Sequence, residues 1–331
     1  MFKYNANPDQ SESFTPGSEM PVDTVKIMFH VDPSKLSLNG WEHIYKDTVN
    51  VERTTELWEM YRHDFFTSKG IRIGVNYYPS GFYSLGNNVL FVELSLPKVI
   101  FGCNHQLINF DWEIALEVVQ SDIACLPGFP LVDIRLGILF RLDICVNFQV
   151  GNNVKDYFQA LRKAHYRRRK TLPYNDTGVL FKTETSGRSL CLYDKMAECK
   201  HKEAYGLFRA ELSLRNRAAI TSVLDEENIT LPELTRDDLM QVIRIEMKPL
   251  GLDRTIVCDR LEIEHLLSQI YTPRQVRSLL GYWLERQTKT YDQMIEGKTS
   301  VRTICHYEKL LKNAGIASIS SNQNKSLPPL F

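Results

Sequence analysis

No Cys-x-x-Cys pair occurs among the seven cysteines, which are scattered and odd in number. That pattern argues against a disulfide framework and a zinc ribbon, and fits the reduced thiols of a cytosol. No apolar run reaches the roughly 18 residues of a membrane-spanning helix, so neither a span nor a membrane partner is expected. The N-terminus is polar and is expected to carry no signal peptide. Net charge is also missing, because 40 Lys and Arg balance 40 Asp and Glu over 331 residues. Taken alone, that balance argues against a nucleic-acid binder. No internal repeat is legible along the chain.

What is present points elsewhere. A hydrophobic content of 43% with 11% aromatics indicates an ordinary folded core, and the length suits two domains or one domain with an appendage. The charge is unevenly spread. Between Gly151 and Ile220, 15 Lys and Arg stand against 7 Asp and Glu, a local balance of +8. A basic field inside a neutral protein is what a phosphate backbone attracts. Its densest part is Arg162, Lys163, Arg167, Arg168, Arg169 and Lys170, interleaved with His165 and Tyr166 and free of acids. Such a run is expected to contact phosphate.

Three segments in and beside this region alternate apolar and polar residues, the pattern of half-buried strands. Leu142, Ile144 and Val146 oppose Arg141, Asp143 and Cys145; Leu190 and Leu192 oppose Cys191, Tyr193 and Lys195; Phe208, Ala210, Leu212 and Leu214 oppose Arg209, Glu211, Ser213 and Arg215. Strand side chains repeat every two residues. In one sheet, a single face would carry an Asp, a Tyr, a Lys, a Glu and several Arg. Those types suit phosphodiester chemistry: carboxylates for a cation, a hydroxyl nucleophile and positive charge for phosphate. Glu93, on the polar side of a strand over 89–96, adds a further acid.

Residues 1–20 read as a disordered lead-in. Strands are expected over 23–31 and 71–78, and a short helix or an edge strand within 51–66. Helices are expected over 111–121, with Asp111 near the cap, and over 154–166. From about 221 the chain reads as helical, with starts at Thr235, Thr272-Pro273 and Thr299 or Ser300. The expected fold class is α+β: an antiparallel sheet with helices on one face over 21–220, then a mainly helical region over 221–318. That region is compatible with a helix-turn-helix-like DNA reader or a packing bundle. Residues 319–331 read as a flexible tail.

The segments VDTVKIMFH, VELSLPKVIFGCN, FRLDICVNF, LYDK, FRAELSLR and SVRTICHYEKLLKNAG follow one another over residues 22–316. In that order they resemble the replication initiators of filamentous bacteriophages and related plasmids, the gene II protein family with its truncated gene X product. The resemblance implies a rolling-circle initiator of the bacterial cytosol that nicks one strand of origin DNA through a tyrosine. The tyrosine becomes joined to the 5′ phosphate and the strand is later rejoined, with a need for Mg²⁺ or Mn²⁺. It also implies contact with double- and single-stranded origin DNA, and with a host helicase or polymerase. Tyr193 matches the nucleophile, with Lys195 two residues on. Asp143 and Glu211, and after them Glu93, match acidic positions assigned to metal. Two departures stand out. Related nicking enzymes carry a His-apolar-His metal pair and a helical Tyr, whereas this chain has no His-x-His and Tyr193 reads as strand. Cys103 stands where His or Asn is usual, with His105 nearby.

A phenol, with a pKa of about 10, needs a cation or base to become a nucleophile. A hard ion held by oxygens would supply that help, while Lys195, Arg141 and Arg209 would neutralise phosphate oxygens. Tyr205 is the reserve nucleophile. Two alternatives use the same residues: a non-catalytic DNA-binding protein whose carboxylates pair with Arg141, Arg209 and Arg215, and a metal-dependent nuclease in which water attacks.

Overall fold

Two-residue alternation becomes strand and 3.6-residue spacing becomes helix along most of the chain. The computed structural model describes residues 19–330 apart from 50–54, 82–84, 163, 165, 167–168, 184–185, 255, 258, 290 and 318–325, and of residues 46–49 and 55–58 it describes the backbone alone. The expected lead-in therefore lies almost wholly outside the described residues.

In chain order the elements are β1 (Val22–His30), β2 (Glu42–Val49), β3 (Thr55–Phe66), β4 (Arg72–Tyr78), β5 (Val89–Ser95), α1 (Leu96–Phe101), α2 (Trp112–Ala124), β6 (Ile138–Gln149) and α3 (Val154–Arg162). There follow β7 (Lys170–Tyr174), β8 (Gly178–Lys182), β9 (Arg188–Asp194), α4 (Lys195–Cys199), β10 (Leu207–Leu214), α5 (Arg217–Leu224) and α6 (Arg236–Met247). The last four helices are α7 (Arg260–Ser268), α8 (Pro273–Thr288), α9 (Tyr291–Glu296) and α10 (Val301–Asn313). The caps follow the sequence signals. Asp111 accepts from the Ile114 amide at 3.0 Å, Thr235 from Asp238 at 3.2 Å and Ser300 from Thr303 at 3.1 Å. Each such cap is worth about 1 kcal/mol.

All ten strands form one antiparallel sheet in the order β2-β3-β4-β5-β1-β6-β10-β9-β8-β7. Apolar residues at alternate positions (Val25 and Ile27, Val92 and Leu94, Ile144 and Val146, Leu190 and Leu192, Ala210 and Leu212) join one core with residues of α2, α3, α5 and α6. The fold class is thus α+β with helices on one face of an antiparallel sheet, followed by a helical C-terminal region.

The sheet contains a repeat that no reading along the chain reveals. Each half starts with its inner strand, β1 or β6, and the next four strands meander back to it, giving 2-3-4-5-1 beside 6-10-9-8-7. The returning strands carry the same four residues, Glu93-Leu94-Ser95-Leu96 and Glu211-Leu212-Ser213-Leu214. The halves bond alike as well: Ser95 Oγ donates to Asp23 Oδ1 at 2.6 Å, and the Ser213 hydroxyl bonds Asp143.

Other differences from expectation are local. Of the two alternatives for 51–66, the strand holds as β3, but it lies between β2 and β4 and not at the edge. The helix expected to reach 166 stops at Arg162, and the hairpin β7–β8 follows. Residues Ile229–Ile256 pack into the sheet's core, while a second core joins Val257 on the loop before α7 to α7, α8, α9 and α10. The two cores therefore divide near residue 256, beyond the expected boundary at 220. Leu327 and Leu330, in the stretch read as tail, are buried, and Leu327 exchanges backbone hydrogen bonds with Ile256.

Candidate active site

Directly opposed residues of an antiparallel pair share a face. Lys26 opposes both Glu93 and Arg141, Ser213 opposes Asp143, Glu211 opposes Cys145 and Cys191, and Arg209 opposes Asn147 and Tyr193. One face, turned away from the main core, thus carries Glu93, Arg141, Asp143, Arg209, Glu211 and Tyr193 together, as the alternation predicts. The repeat divides this face. Around Phe91, two residues before Glu93, lie Met28, Met60, Tyr78 and Val89, an apolar cluster. Around Arg209, two residues before Glu211, the face is polar. By register Asn76, opposite Phe91, is the counterpart of Tyr193, so only the second half has a phenol at this position.

The Tyr193 hydroxyl donates to Glu211 Oε2 at 2.8 Å, and the side chain is 3% exposed. Burial, and then the charge of Glu211, hold the phenol well above its usual range. Burial likewise raises the Glu211 carboxyl, assisted by the charges of Asp143 and Asp23. A carboxylate with raised proton affinity beside a buried phenol is an acceptor suited to that proton.

Arg141 stands between two acids. Nη1 donates to Glu93 Oε1 at 2.9 Å and Nη2 to Asp143 Oδ2 at 2.7 Å. Burial raises Asp143, and Arg141 opposes that rise. Arg209 is fully buried. It donates to Asp23 Oδ2 at 3.0 Å, to Asn147 Oδ1 at 2.7 Å and to the His105 carbonyl at 3.4 Å. Lys195, the first residue of α4, is also fully buried. It donates to Asn104 Oδ1 at 2.9 Å and Glu198 Oε2 at 2.6 Å, 5.7 Å from the Tyr193 ring centroid. Asn104 in turn donates to Asp23 Oδ2 at 3.0 Å. One network therefore links the start of α4, next to β9, to the loop after α1.

That loop and the one after α4 build the remaining part. Each follows a strand and a short helix, and each helix ends on a left-handed residue, Gly102 (φ 80°) or Lys200 (φ 57°). His105 and His201, on these two loops, stack at 4.5 Å. Glu203 Oε2 lies 3.3 Å from His105 Nε2 and 3.9 Å from His201 Nδ1. Among the described residues, His105, His201 and Glu203 are the one group of three such side chains whose donor atoms lie within 4.8 Å of one another. His105 is 3% exposed, its Nδ1 finds no partner among the described residues, and burial holds its imidazole below the usual pKa. A neutral, partly unsatisfied imidazole beside a second imidazole and a carboxylate fits a divalent metal. Asp143, Glu211 and Glu93, the acids expected to hold metal, do not form such a group. A guanidinium lies between Glu93 and Asp143, and Glu211 faces the phenol.

The basic residues separate in the same way. Arg162, Lys170 and Arg215 are exposed. Arg169 is turned inward onto Glu246, with its guanidinium 4.2 Å from the Tyr166 ring. Arg141 and Arg209 are engaged as described. Lys163, Arg167 and Arg168 lie outside the described residues.

A family profile for the N-terminal part of a phage replication-associated protein, the gene II protein, matches residues 50–236, more than half of the chain. The protein belongs to this family. As a member, it takes part in the initiation of DNA replication, and the resemblance of its ordered segments agrees. A search of curated proteins gives no significant match. Among solved structures, a rolling circle replication initiator from Geobacillus stearothermophilus aligns at 14% identity over 61% of this chain and 76% of that one, with a TM-score of 0.28. The di-domain ARO/CYC protein StfQ of the steffimycin pathway aligns at 13% over 68% and 85%, with a TM-score of 0.22. At those scores neither alignment bears on the assignment. No helix among the described residues is long and apolar enough to cross a membrane.

His105 is marked in the sequence beside Cys103, whereas Asp23, Asn104, Asn147, His201 and Glu203 were not legible as site residues. Their only sequence signals were the positions of Asn104-His105 and His201-Lys-Glu203 shortly after polar-faced strands.

Proposed function

We propose that this initiator nicks and rejoins one strand of origin DNA through Tyr193. The observation that carries the reading is the buried hydrogen bond from the Tyr193 hydroxyl to Glu211. Glu211 accepts the phenolic proton as the oxygen attacks the scissile phosphorus. The bond to the 3′ oxygen breaks, that oxygen takes the proton from Glu211, and the 5′ phosphate stays on Tyr193. Reversal with the same groups rejoins the strand. Lys195, held beside the ring by Asn104 and Glu198, offers positive charge to phosphate oxygens. Asp23 and Asn147 keep Arg209 in place behind the nucleophile. Arg162, Lys170 and Arg215 supply exposed charge for the DNA backbone, and host helicase or polymerase would follow in the bacterial cytosol.

His105, His201 and Glu203 would hold the divalent ion, in place of Asp143, Glu211 and Glu93. Mixed imidazole and carboxylate donors suit Mn²⁺ better than Mg²⁺. When bound, the ion would act as a Lewis acid towards the phosphate. Binding has its own readout. Mn²⁺ at about 100 times its Kd is expected to stabilise the protein by about 2.7 kcal/mol, raising Tm by several degrees. His201→Ala is expected to remove that rise. A rise that persists in His201→Ala would move the ion elsewhere.

The pairing of Glu93 and Asp143 with Arg141 favours a second reading, a DNA-binding protein without chemistry. The two readings part on one test, covalent trapping with origin DNA. The first gives an adduct at Tyr193; the second gives binding alone.

A further inference from the structure

Arg162, Lys170 and Arg215 lie on and beside the sheet, and the second core presents a cationic face of its own. In that core α10 packs Ile304 and Leu311 inward against α8 and α9. At 3.6 residues per turn, Arg302, His306, Lys309 and Asn313 then fall on the opposite side, flanked by Cys305 and Lys312. All six are exposed. Arg302, Lys309 and Lys312 pair with no acid among the described residues. The one acid of α10, Glu308, is half-buried and turned inward, where it accepts from the Tyr282 hydroxyl at 3.3 Å. Exposed acids of this unit, such as Glu264 and Asp292, sit on α7 and α9.

A fixed joint holds this helix. Four residues, Gly297 to Ser300, connect α9 to α10. Lys298 takes a left-handed conformation (φ 69°), and the amides of Lys298 and Thr299 donate to the Ile295 and Met294 carbonyls at 2.9 and 3.0 Å. That pair of bonds ends α9 in a Schellman motif, and Ser300 caps α10 directly after it. A helix, a short closed turn and a second helix with an unpaired cationic face suit the major groove of duplex DNA, whose width admits one helix. We propose that α10 is a second DNA-binding surface, which reads duplex sequence at the origin from the major groove. Its first turn offers Arg302 to guanine edges and Val301, 52% exposed, to thymine methyls. Lys298, Lys309 and Lys312 meet phosphates. Choice of origin thus belongs to the second core and cutting to the sheet. The proposal rests on the replication-initiator assignment and not on the Tyr193 chemistry, because binding alone tests it.

The test measures binding of the full-length protein, in chelator, to two labelled duplexes of equal length. One carries the origin and the other its shuffled sequence, and salt is varied between about 50 and 200 mM. Lys309→Ala is expected to weaken both duplexes alike and to lower the slope of log K against log salt by about 0.9, the worth of one phosphate. Arg302→Ala is expected to reduce the preference for the origin at least about fivefold. Arg302→Lys keeps the charge without the planar fork, and is expected to restore the slope but not the preference. Because these side chains are exposed, melting and the adduct with single-stranded origin DNA are expected to stay at wild-type levels in all three variants. No origin preference in the wild type would overturn the proposal. So would a preference unchanged in Arg302→Ala or fully recovered in Arg302→Lys, or wild-type affinity in Lys309→Ala. Wild-type binding in all three variants would overturn it and leave this face to an acidic protein partner. Lower melting, or loss of the single-strand adduct, would overturn it by making the face a support of the fold. Absence of any adduct in the wild type is a separate failure, that of the Tyr193 reading.

Discussion

Tyr193→Phe is expected to abolish the covalent adduct and to slow nicking by at least about 10³-fold, while leaving binding of origin DNA intact. Removing a nucleophile eliminates the intermediate itself, so the loss is far larger than for a residue that only stabilises charge. The cost to folding should be small. Phe fills the same space, and the group deprived of its hydrogen bond is one oxygen of the Glu211 carboxyl. A loss of about 1–3 kcal/mol is the most that one unmade buried bond should bring. Denaturing gels report the adduct, filter binding the affinity and thermal melting the stability. Collapse of binding together with nicking would mean that Tyr193 holds the site's shape instead of doing its chemistry.

Arg209→Ala carries the largest expected stability effect. The guanidinium is fully buried and ties Asp23 on β1 to Asn147 on β6 and to the His105 carbonyl. Removing it leaves Asp23, itself 2% exposed, without its counter-charge. Breaking one side of a buried pair costs about 3–5 kcal/mol, which corresponds to roughly 10 °C or more in Tm for a unit of this size. The double variant Asp23→Asn, Arg209→Met should recover much of that loss, because a buried pair exchanged for neutral groups is often nearly free. A single-variant loss below about 1 kcal/mol would show that the network does not hold the two halves of the face together.

The alternation that marks Arg141, Asp143, Arg209, Glu211 and Tyr193 as one face was sufficient to read their placement, since a strand's period of two leaves no freedom about sides. The hairpin β7–β8 was not legible. Its first strand, KTLPY, contains a proline and no clean alternation, and it pairs at the sheet edge where proline is tolerated. The metal-suited group escaped for a different reason. His105 and His201 are brought together by two strand–helix–loop units far apart in sequence, and only the sheet order makes them neighbours. The repeat was hidden because Glu-Leu-Ser-Leu is the clear remnant, while the polar surroundings of Arg209 have apolar counterparts around Phe91. Nor can a basic run show which of its members turns inward. Arg169 does so because Glu246, on a distant helix, waits for it.

The most direct test is to incubate the protein with labelled single-stranded origin DNA and Mn²⁺, denature it, and map any labelled peptide. The account predicts one labelled peptide, 189–195, absent from Tyr193→Phe. Nicked DNA without any protein-bound label, or an adduct that survives in Tyr193→Phe, would contradict it.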